Sequence, residues 1–207
     1  MNRNNGLFVS FEGPEASGKS TQIKLLKKYF IKNRLKFVVT REPGGTQISE
    51  KLRKIVLNNK IKITNTEEIL LLMAARLNHI NEIIKPALSK NKIVISDRFA
   101  DSTFVYQGHL NNFGLNKAIK LHKNILDNFL PKKTFLFLLP PNLIRNRLKK
   151  RSASNKYDKL NIEFHQKIIS GYKKLSNNNK RFILIDATLP INDIHNKIIN
   201  KIDSLIR

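Results

Sequence analysis

The 207-residue chain contains no cysteine, and this absence removes several kinds of chemistry at once. Without thiols the chain forms no disulfide bond, no thiolate metal site and no cysteine nucleophile. It also has no apolar run near the roughly 18 residues that a membrane-spanning helix needs. Its first residues, MNRNNG, lack the apolar stretch of a signal peptide. We therefore expect a cytoplasmic protein with no membrane partner.

Acidic residues are scarce as well. The chain has 15 Asp and Glu residues against 39 Lys and Arg, a formal net charge of +24. Such a charge suits a polyanionic partner such as nucleic acid. However, the basic residues are spread over the whole length, and abundant Lys, Asn and Ile are also what an A/T-rich genome encodes. Since no aromatic-rich basic stretch accompanies the charge, we expect no specific nucleic-acid partner.

No internal repeat and no linker rich in Pro, Gly or Ser divides the chain, so we expect one domain over residues 1–207. With 41% apolar residues the chain can bury a packed core. Short buried runs alternate with stretches of helical spacing. The predicted strands cover residues 7–11, 37–40, 93–96, 135–139 and 182–185. The predicted helices cover residues 19–30, 48–57, 67–88 (with Thr66 as N-cap), 118–129, 142–150, 162–175 and 191–205.

This alternation of strands and helices predicts an α/β fold. We expect a three-layer sandwich, in which a five-stranded parallel sheet is covered by helices on both faces. Such sheets bind ligands beyond the carboxyl ends of their strands. The loop at residues 13–20 and the side chains of Arg41, Asp97 and Asp186 each follow a predicted strand. We therefore expect them to gather at one edge of the sheet.

The segment FEGPEASGKST matches the phosphate-binding pattern G-x-x-x-x-G-K-[ST], with a strand before it and a helix after it. Backbone N–H groups of such a loop approach phosphate oxygens, and the helix N-terminus adds partial positive charge. The pattern predicts that Lys19 reaches the β- and γ-phosphates and that Ser20 holds Mg²⁺. The expected nucleotide-binding residues are Gly13, Pro14, Glu15, Ala16, Ser17, Gly18, Lys19, Ser20 and Thr21.

Two further observations narrow the class of protein and the kind of ligand. No NKxD guanine-reading motif follows, which argues against a GTPase. Glu15 is an acid inside a loop built for anions, where it would repel a triphosphate. We expect it to face a second ligand that offers a neutral or donor group, such as a sugar hydroxyl; a solvated loop residue is the alternative.

The segments after the second and third strands carry polar residues suited to an acceptor substrate. Arg41, in TREPGG, is placed for a phosphate or a carboxylate, or is a solvated surface residue. Asp97 stands at a strand end, as does the Walker-B acid that positions Mg²⁺. Its neighbour Arg98 can contact a phosphate with two parallel hydrogen bonds.

Other polar side chains are spaced to read a base or a sugar. Ser102, Tyr106 and Gln107 place their polar tips on one side of a helix. Arg76 follows two alanines, a combination that leaves room for a flat ligand and offers it a planar set of donors. The alternative for AAR is a helix-packing alanine pair with a surface arginine.

Taken together, these segments resemble bacterial thymidylate kinases. The resemblance rests on FEGPEASGKST, REPGGT, AAR, SDRF, DSTFVYQG, IEFHQKIISGY and IDAT, and it extends from about Leu7 to the last helix. It implies a P-loop nucleoside-monophosphate kinase with a short lid at about residues 147–160. The implied reaction transfers the γ-phosphoryl group of ATP to dTMP with Mg²⁺, giving dTDP and ADP. The implied assembly is a homodimer.

The resemblance also implies roles for individual residues. Lys19 and Ser20 would serve ATP and the metal, with Asp97. Glu15 would meet the deoxyribose 3′-hydroxyl, and Arg98, helped by Arg41, would hold the dTMP phosphate.

The implied contacts of the base and of adenine involve a second set of residues. Arg76 would hydrogen-bond thymine, and Ser102 and Gln107 would contact the base. Tyr106 would exclude a ribose 2′-hydroxyl. Residues 185–188 would lie near adenine.

Some positions depart from the family pattern. Relatives often carry a phenylalanine to stack on thymine where this chain has Leu72. In the lid, NKYD places Lys156 where an arginine is usual, and a lysine cannot make the forked phosphate contact. The loop has Ala16 where some relatives have an arginine, so we expect the lid to supply catalytic charge. Lys156 is our first candidate, and Arg151 or Arg147 are alternatives. The expected catalytic residues are Lys19, Arg98, Arg151 and Lys156.

Three other interpretations remain open from the sequence. The chain could phosphorylate another nucleotide or nucleoside, such as dUMP, deoxyadenosine or deoxyguanosine. It could be a nucleic-acid-binding protein on a P-loop fold, as the net charge suggests. It could also be a paralogue that binds nucleotide without turnover.

Overall fold

The computed structural model describes residues 6–58, 60–149 and 161–206. Within these ranges, five parallel strands form one sheet in the order β2-β3-β1-β4-β5. The strands are β1 (Leu7–Glu12), β2 (Phe37–Arg41), β3 (Ile93–Asp97), β4 (Lys133–Leu138) and β5 (Phe182–Asp186). The α-helices are α1 (Lys19–Lys32), α2 (Gln47–Leu57), α3 (Asn65–His79), α4 (Lys85–Ser89), α5 (Ala100–Thr103), α6 (Leu115–Leu126), α7 (Pro141–Lys149), α8 (Ile162–Ser176) and α9 (Ile191–Ile206). The predicted α/β architecture is confirmed.

The central strand β1 is buried on both faces of the sheet. Every residue of LFVSFE is buried, as expected for a strand with helices above and below it. On one face, Phe11 packs in a cluster with residues of α1 and α9; on the other, Phe8 packs with residues of α3 and α6. None of the helices in the described part of the chain combines the length and the apolar character that a membrane crossing requires.

The helix predicted over residues 67–88 is wrong in its start and in its continuity. Thr64, not Thr66, is the N-cap: its hydroxyl accepts from the Glu67 N–H, and the Glu67 carboxylate accepts from the Thr64 N–H. This reciprocal capping box satisfies two N–H groups, so the helix begins two residues earlier, at Asn65. α3 ends at His79 and continues through a π-helical segment, Ile80–Ile84, into α4. Pro86 has no N–H to donate to the preceding turn, which disturbs regular α-helical bonding there.

Several other predicted boundaries moved by two or three residues: α1 ends at Lys32 rather than at residue 30, and α6 begins at Leu115 rather than at residue 118. The helix predicted to end at residue 129 ends at Leu126, because Asp127 takes the left-handed conformation with φ of 49°. β4 begins at Lys133 rather than at residue 135, since Lys133 already pairs with Val9.

The register of the strands brings the predicted site segments to one edge. Arg41 pairs with Asp97, which in turn pairs with Phe11. The phosphate loop follows directly after β1, and Asp186 ends β5. Gly13 lies so close to β4 that a Cβ atom there would collide with the Phe137 carbonyl. The expectation that these segments gather at the carboxyl edge is therefore confirmed.

A largely buried ion pair joins Arg181, the residue before β5, to Asp101 of α5. Arg181 donates to both carboxylate oxygens of Asp101, each at 2.7 Å, and to the Thr134 hydroxyl at 2.6 Å. Asp101 has no exposed side-chain surface. Thr134 in turn hydrogen-bonds Ser10 of β1 at 2.9 Å.

Replacing Arg181 by methionine should destabilise the fold strongly. The change leaves the Asp101 carboxylate buried without its cation, which costs about 3–5 kcal/mol. Chemical unfolding would measure the loss, with Lys180→Met as the matched control because that neighbouring side chain is exposed. A loss below about 1 kcal/mol for Arg181→Met would contradict a stabilising role for this pair.

Candidate active site

A cavity of about 550 Å³ opens at the carboxyl edge of the sheet. Predicted site residues from several distant segments line it: residues 15–21, Arg41, Leu72, Arg76, Asp97, Arg98, Ser102, Tyr106 and Gln107. A second, more open groove of about 950 Å³ lies between α8 and the β4–β5 edge. Because it contains none of the predicted residues, the cavity at the carboxyl edge is the candidate site.

The phosphate loop wraps around the Lys19 ammonium group. Lys19 Nζ donates to the carbonyls of Gly13 at 3.0 Å and Pro14 at 2.7 Å, and it lies 3.3 Å from Ser17 Oγ. Burial, reinforced by the nearby Arg98 cation, lowers the pKa of Lys19 to about 8. A buried cation held by neutral carbonyls is placed to meet an anion entering the loop.

The two predicted metal ligands lie together at the mouth of the loop. Ser20 Oγ donates to Asp97 Oδ2 at 3.1 Å, across 77 residues of sequence. A hydroxyl and a carboxylate are oxygen ligands of the kind that Mg²⁺ prefers. Within the described ranges no group of three or more His, Cys, Asp or Glu side chains is placed to hold a metal. The pair therefore suits a Mg²⁺ ion, whose other ligands would have to come from a bound nucleotide and water.

Arg98 connects the phosphate loop to the start of the helical segment after β3, where Ser102 lies. Its guanidinium donates to Glu15 Oε1 at 2.7 Å, to the Gly13 carbonyl at 3.1 Å and to Ser102 Oγ at 3.0 Å. Its backbone has a φ of 70°, in a region that side chains rarely adopt. The Arg98 N–H bonds to the Phe11 carbonyl at 2.9 Å, which holds this conformation. A strained residue held in place by its surroundings is typical of a functional site.

Glu15 faces away from the interior of the loop, as its charge led us to expect. Both of its carboxylate oxygens accept from the Tyr106 hydroxyl, at 3.0 and 2.9 Å. Burial raises the pKa of the Glu15 carboxyl, but the cations of Arg98 and Lys19 outweigh it, so the net pKa lies below its ordinary value. Glu15 is thus an ionised acceptor at the boundary between the loop and the rest of the cavity.

Glu12 is a site residue that the sequence interpretation missed. Its carboxylate accepts from the Phe99 N–H at 2.7 Å, from Ser102 Oγ at 2.6 Å and from the Tyr172 hydroxyl at 2.9 Å. Burial, followed by the charge of Asp101, raises the pKa of Glu12 to about 7. An acid ending an otherwise apolar strand was the available signal. Glu12 fixes Ser102 beside the Arg98 guanidinium.

The wall formed by α3 carries Arg76 and Leu72, and both are buried. Arg76 Nε donates to Glu42 Oε2 at 2.7 Å, and Nη2 donates to Thr103 Oγ1 at 2.8 Å. Glu42 also contacts His79 Nδ1 at 2.9 Å. The alternative of a solvated surface arginine at position 76 is therefore wrong. Neither Glu42 nor Thr103 was predicted, although Glu42 lies within the TREPGG segment.

Three further arginines, Arg41, Arg53 and Arg98, line the cavity. Arg41 is exposed and paired with Glu50 at 3.0 Å. Arg53 of α2, which the sequence interpretation missed, lines the cavity and donates to the Pro43 carbonyl at 2.6 Å. Burial, and then the charges of Arg41 and Arg98, lower the pKa of Arg53. Cations that crowd one another in this way favour the binding of an anion among them.

Of the three candidates for catalytic charge from the lid segment, one lies within the described residues. Arg151 and Lys156 lie outside the described residues, so their roles stay predictions. Arg147 of α7 is described. Its guanidinium donates to the Ala16 carbonyl at 3.3 Å and to the Ala187 carbonyl at 3.0 Å. Arg147 thus connects the phosphate loop with the segment after β5.

Comparison with known proteins gives a consistent result. A family model described as thymidylate kinase matches residues 11–198. The thymidylate kinase of Mycoplasma capricolum is 41% identical over 197 residues, which cover 93% of this chain and 92% of that protein. The thymidylate kinase of Orientia tsutsugamushi is 40% identical, and the match covers 98% of this chain and 95% of that protein. The thymidylate kinase of Kosmotoga olearia is 34% identical, and the match covers 94% of each chain. With the phosphate loop, the arginine-lined cavity and these matches along nearly its whole length, the chain belongs to the thymidylate kinase family.

Proposed function

We propose that the described cavity carries out the thymidylate kinase reaction, in which the γ-phosphoryl group of ATP passes to dTMP and gives dTDP and ADP. The observation that supports it best is the position of Arg98. One guanidinium contacts both the phosphate loop, at Gly13 and Glu15, and the acceptor-side Ser102. Donor and acceptor phosphates placed on either side of it would lie close enough for direct transfer.

On the donor side, the loop would hold the triphosphate. Lys19 would turn from the Gly13 and Pro14 carbonyls to the β- and γ-phosphates, so that its ammonium group is hydrogen-bonded both before and after ATP binds. Arg147, anchored over the loop and beside Ala187, would lie at the adenine end. A planar guanidinium is suited to packing against a flat ring.

On the acceptor side, the cations would receive the dTMP phosphate and the α3 wall would receive the base. Arg98 and Arg53, with Arg41 at the rim, would surround the phosphate. Glu15 would accept from the sugar hydroxyl, and Tyr106, held against Glu15, would close the space that a 2′-hydroxyl needs. Leu72 would give the thymine an aliphatic contact in place of a stacked aromatic ring.

Chemistry at this site would depend on positioning and charge. A phosphoryl group in flight carries charge on its equatorial oxygens, and cations arranged before the reaction stabilise it. Lys19 and Arg98 supply such cations, and Lys156 or Arg151 would complete the set. Ser20 and Asp97 would hold Mg²⁺, which when bound with ATP neutralises phosphate charge. No general base is required of the protein in this scheme.

ATP-dependent formation of ADP tests the proposed function directly. Turnover should be fastest with dTMP, slower with dUMP and weak with dCMP and the ribonucleotide TMP. Turnover with deoxyadenosine or deoxyguanosine and none with dTMP would identify another kinase. Nucleotide binding without turnover of any acceptor would indicate an inactive paralogue, and salt-sensitive, sequence-specific DNA binding would revive the nucleic-acid alternative.

We also propose that two copies of the chain pair through α2 and α3. These helices pack together and leave apolar side chains exposed: Ile48 at 50%, Leu70 at 47% and Leu77 at 41%. Leu70 and Leu77 are two turns apart and therefore lie on one face of α3. Light scattering should give twice the mass of one chain, and the mass of a single chain at every concentration would refute the pairing.

Replacing Arg53 by methionine should weaken dTMP binding selectively. The change removes one half-buried cation from the acceptor end, so KM for dTMP should rise about 10-fold or more. KM for ATP should change by less than about 2-fold, because Arg53 donates to the Pro43 carbonyl and not to the phosphate loop. Lys54→Met is the matched control, since Lys54 neighbours Arg53 on α2 but is exposed. Equal effects on both substrates would assign Arg53 a structural role instead.

Glu12 should make stability depend on pH in a defined direction. Its pKa is about 7 in the folded chain, against an ordinary value of 4.5. Between these pH values the folded chain keeps a proton that the unfolded chain releases, so stability falls as pH rises through this window and levels off above it. The free energy of unfolding, wild type minus Glu12→Gln, should fall by about 3 kcal/mol across the window. A difference that stays constant with pH would show that folding does not raise the pKa of Glu12.

A further inference from the structure

Glu68 is a buried acid on α3 that has no part in the roles proposed above. Its side chain is on the same face of the helix as Leu72 and Arg76, since the three residues are spaced by four. Leu72 and Arg76 line the cavity, whereas Glu68 lies behind them and is only 6% exposed. A buried carboxylate is normally retained for a polar partner, and here that partner includes Gln107.

The contact between Glu68 and Gln107 has a defined polarity. Gln107 Nε2 donates to Glu68 Oε1 at 2.8 Å. A carboxylate can only accept hydrogen bonds, so it selects the nitrogen side of the amide. The amide oxygen of Gln107 therefore lies on the side turned away from Glu68. Gln107 itself is 3% exposed and lines the cavity beside Arg76.

We infer that Glu68 determines base specificity by holding the Gln107 amide in the orientation that presents an acceptor to the base. This inference rests on the proposed function. Arg76 is a donor-only group whose Nε and Nη2 are held by Glu42 and Thr103. Arg76 and Gln107 together therefore offer the base a donor and an acceptor.

That pair of groups matches one class of pyrimidine. Thymine and uracil present the O4 acceptor and the N3–H donor, which complement Arg76 and the Gln107 oxygen. Cytosine presents an amino group at C4 and an unprotonated N3, so both contacts are mismatched. Glu68 thus separates thymine and uracil from cytosine without touching the base, and it does not separate thymine from uracil. It is a positioning residue rather than a catalytic one.

The substitution Glu68→Gln tests this inference because it preserves the shape but removes the obligate acceptor. The new amide can donate to Gln107 as well as accept from it, so the Gln107 amide is free to turn. We expect kcat/KM to fall about 10-fold for dTMP and by the same factor for dUMP. The inhibition constant of dCMP should stay unchanged or fall. Selection of dTMP over dCMP would then shrink about 10-fold or more.

The control variant is Glu67→Gln, which removes the same charge from the adjacent position. Glu67 is exposed and contacts the Thr64 cap rather than Gln107, so it should leave the dTMP to dCMP ratio at its wild-type value. Thermal unfolding of each variant reports any loss of stability separately.

The exchanged double variant Glu68→Gln, Gln107→Glu gives a second test that keeps the total charge. It places an acceptor-only carboxylate beside the base and an amide behind it, so it should restore part of the preference for dTMP over dCMP. A double variant no more selective than Glu68→Gln alone would overturn the inference. So would equal weakening of dTMP, dUMP and dCMP by Glu68→Gln, which indicates a purely structural role. A wild-type protein that does not phosphorylate dTMP would instead refute the proposed function.

Discussion

The parallel register between β1 and β3 is the constraint on which the candidate site depends. It pairs Phe11 with Asp97 and lets the Arg98 N–H bond to the Phe11 carbonyl at 2.9 Å. The strained turn that follows directs the Arg98 side chain over the phosphate loop, where it meets Glu15 at 2.7 Å. A shift of one residue in this register would move both Asp97 and Arg98 away from the loop. The sheet therefore fixes where Asp97 and Arg98 lie relative to the phosphate loop.

Buried carboxylates orient the cations and hydroxyls around the cavity. Glu12 holds Ser102, Glu15 holds Arg98 and Tyr106, and Glu42 holds Arg76. Each acid is desolvated, which is unfavourable unless it is hydrogen-bonded, and each is hydrogen-bonded to a group that faces the cavity. The side chains are thereby fixed before a ligand arrives, as electrostatic catalysis requires. The strong excess of positive charge over the whole chain is a separate property, which would speed the arrival of anionic substrates.

Much of the fold was predictable because its signals are local. Five buried apolar runs, a glycine-rich loop and helical spacing between them define a parallel sheet and its ligand edge. The interactions that escaped prediction depend on tertiary contacts. Thr64 and Thr66 are both reasonable caps in the sequence, and only the bond to Glu67 distinguishes them. In the sequence, Arg53 cannot be distinguished from the many other basic residues. Its position in the cavity follows from the packing of α2. Glu12 lies just beyond the predicted strand at residues 7–11, and its role depends on Ser102 and Tyr172, which come from distant segments.

The most direct measurement is a crystal structure of the protein bound to ADP and dTMP together. The ADP phosphates should lie in the loop around Lys19, and the dTMP phosphate should lie about 3 Å from the Arg98 guanidinium. The base should lie between Leu72 and Gln107. A dTMP molecule bound away from Arg98, or a base pointing out of the cavity, would contradict the claim that one arginine joins the donor and acceptor sites.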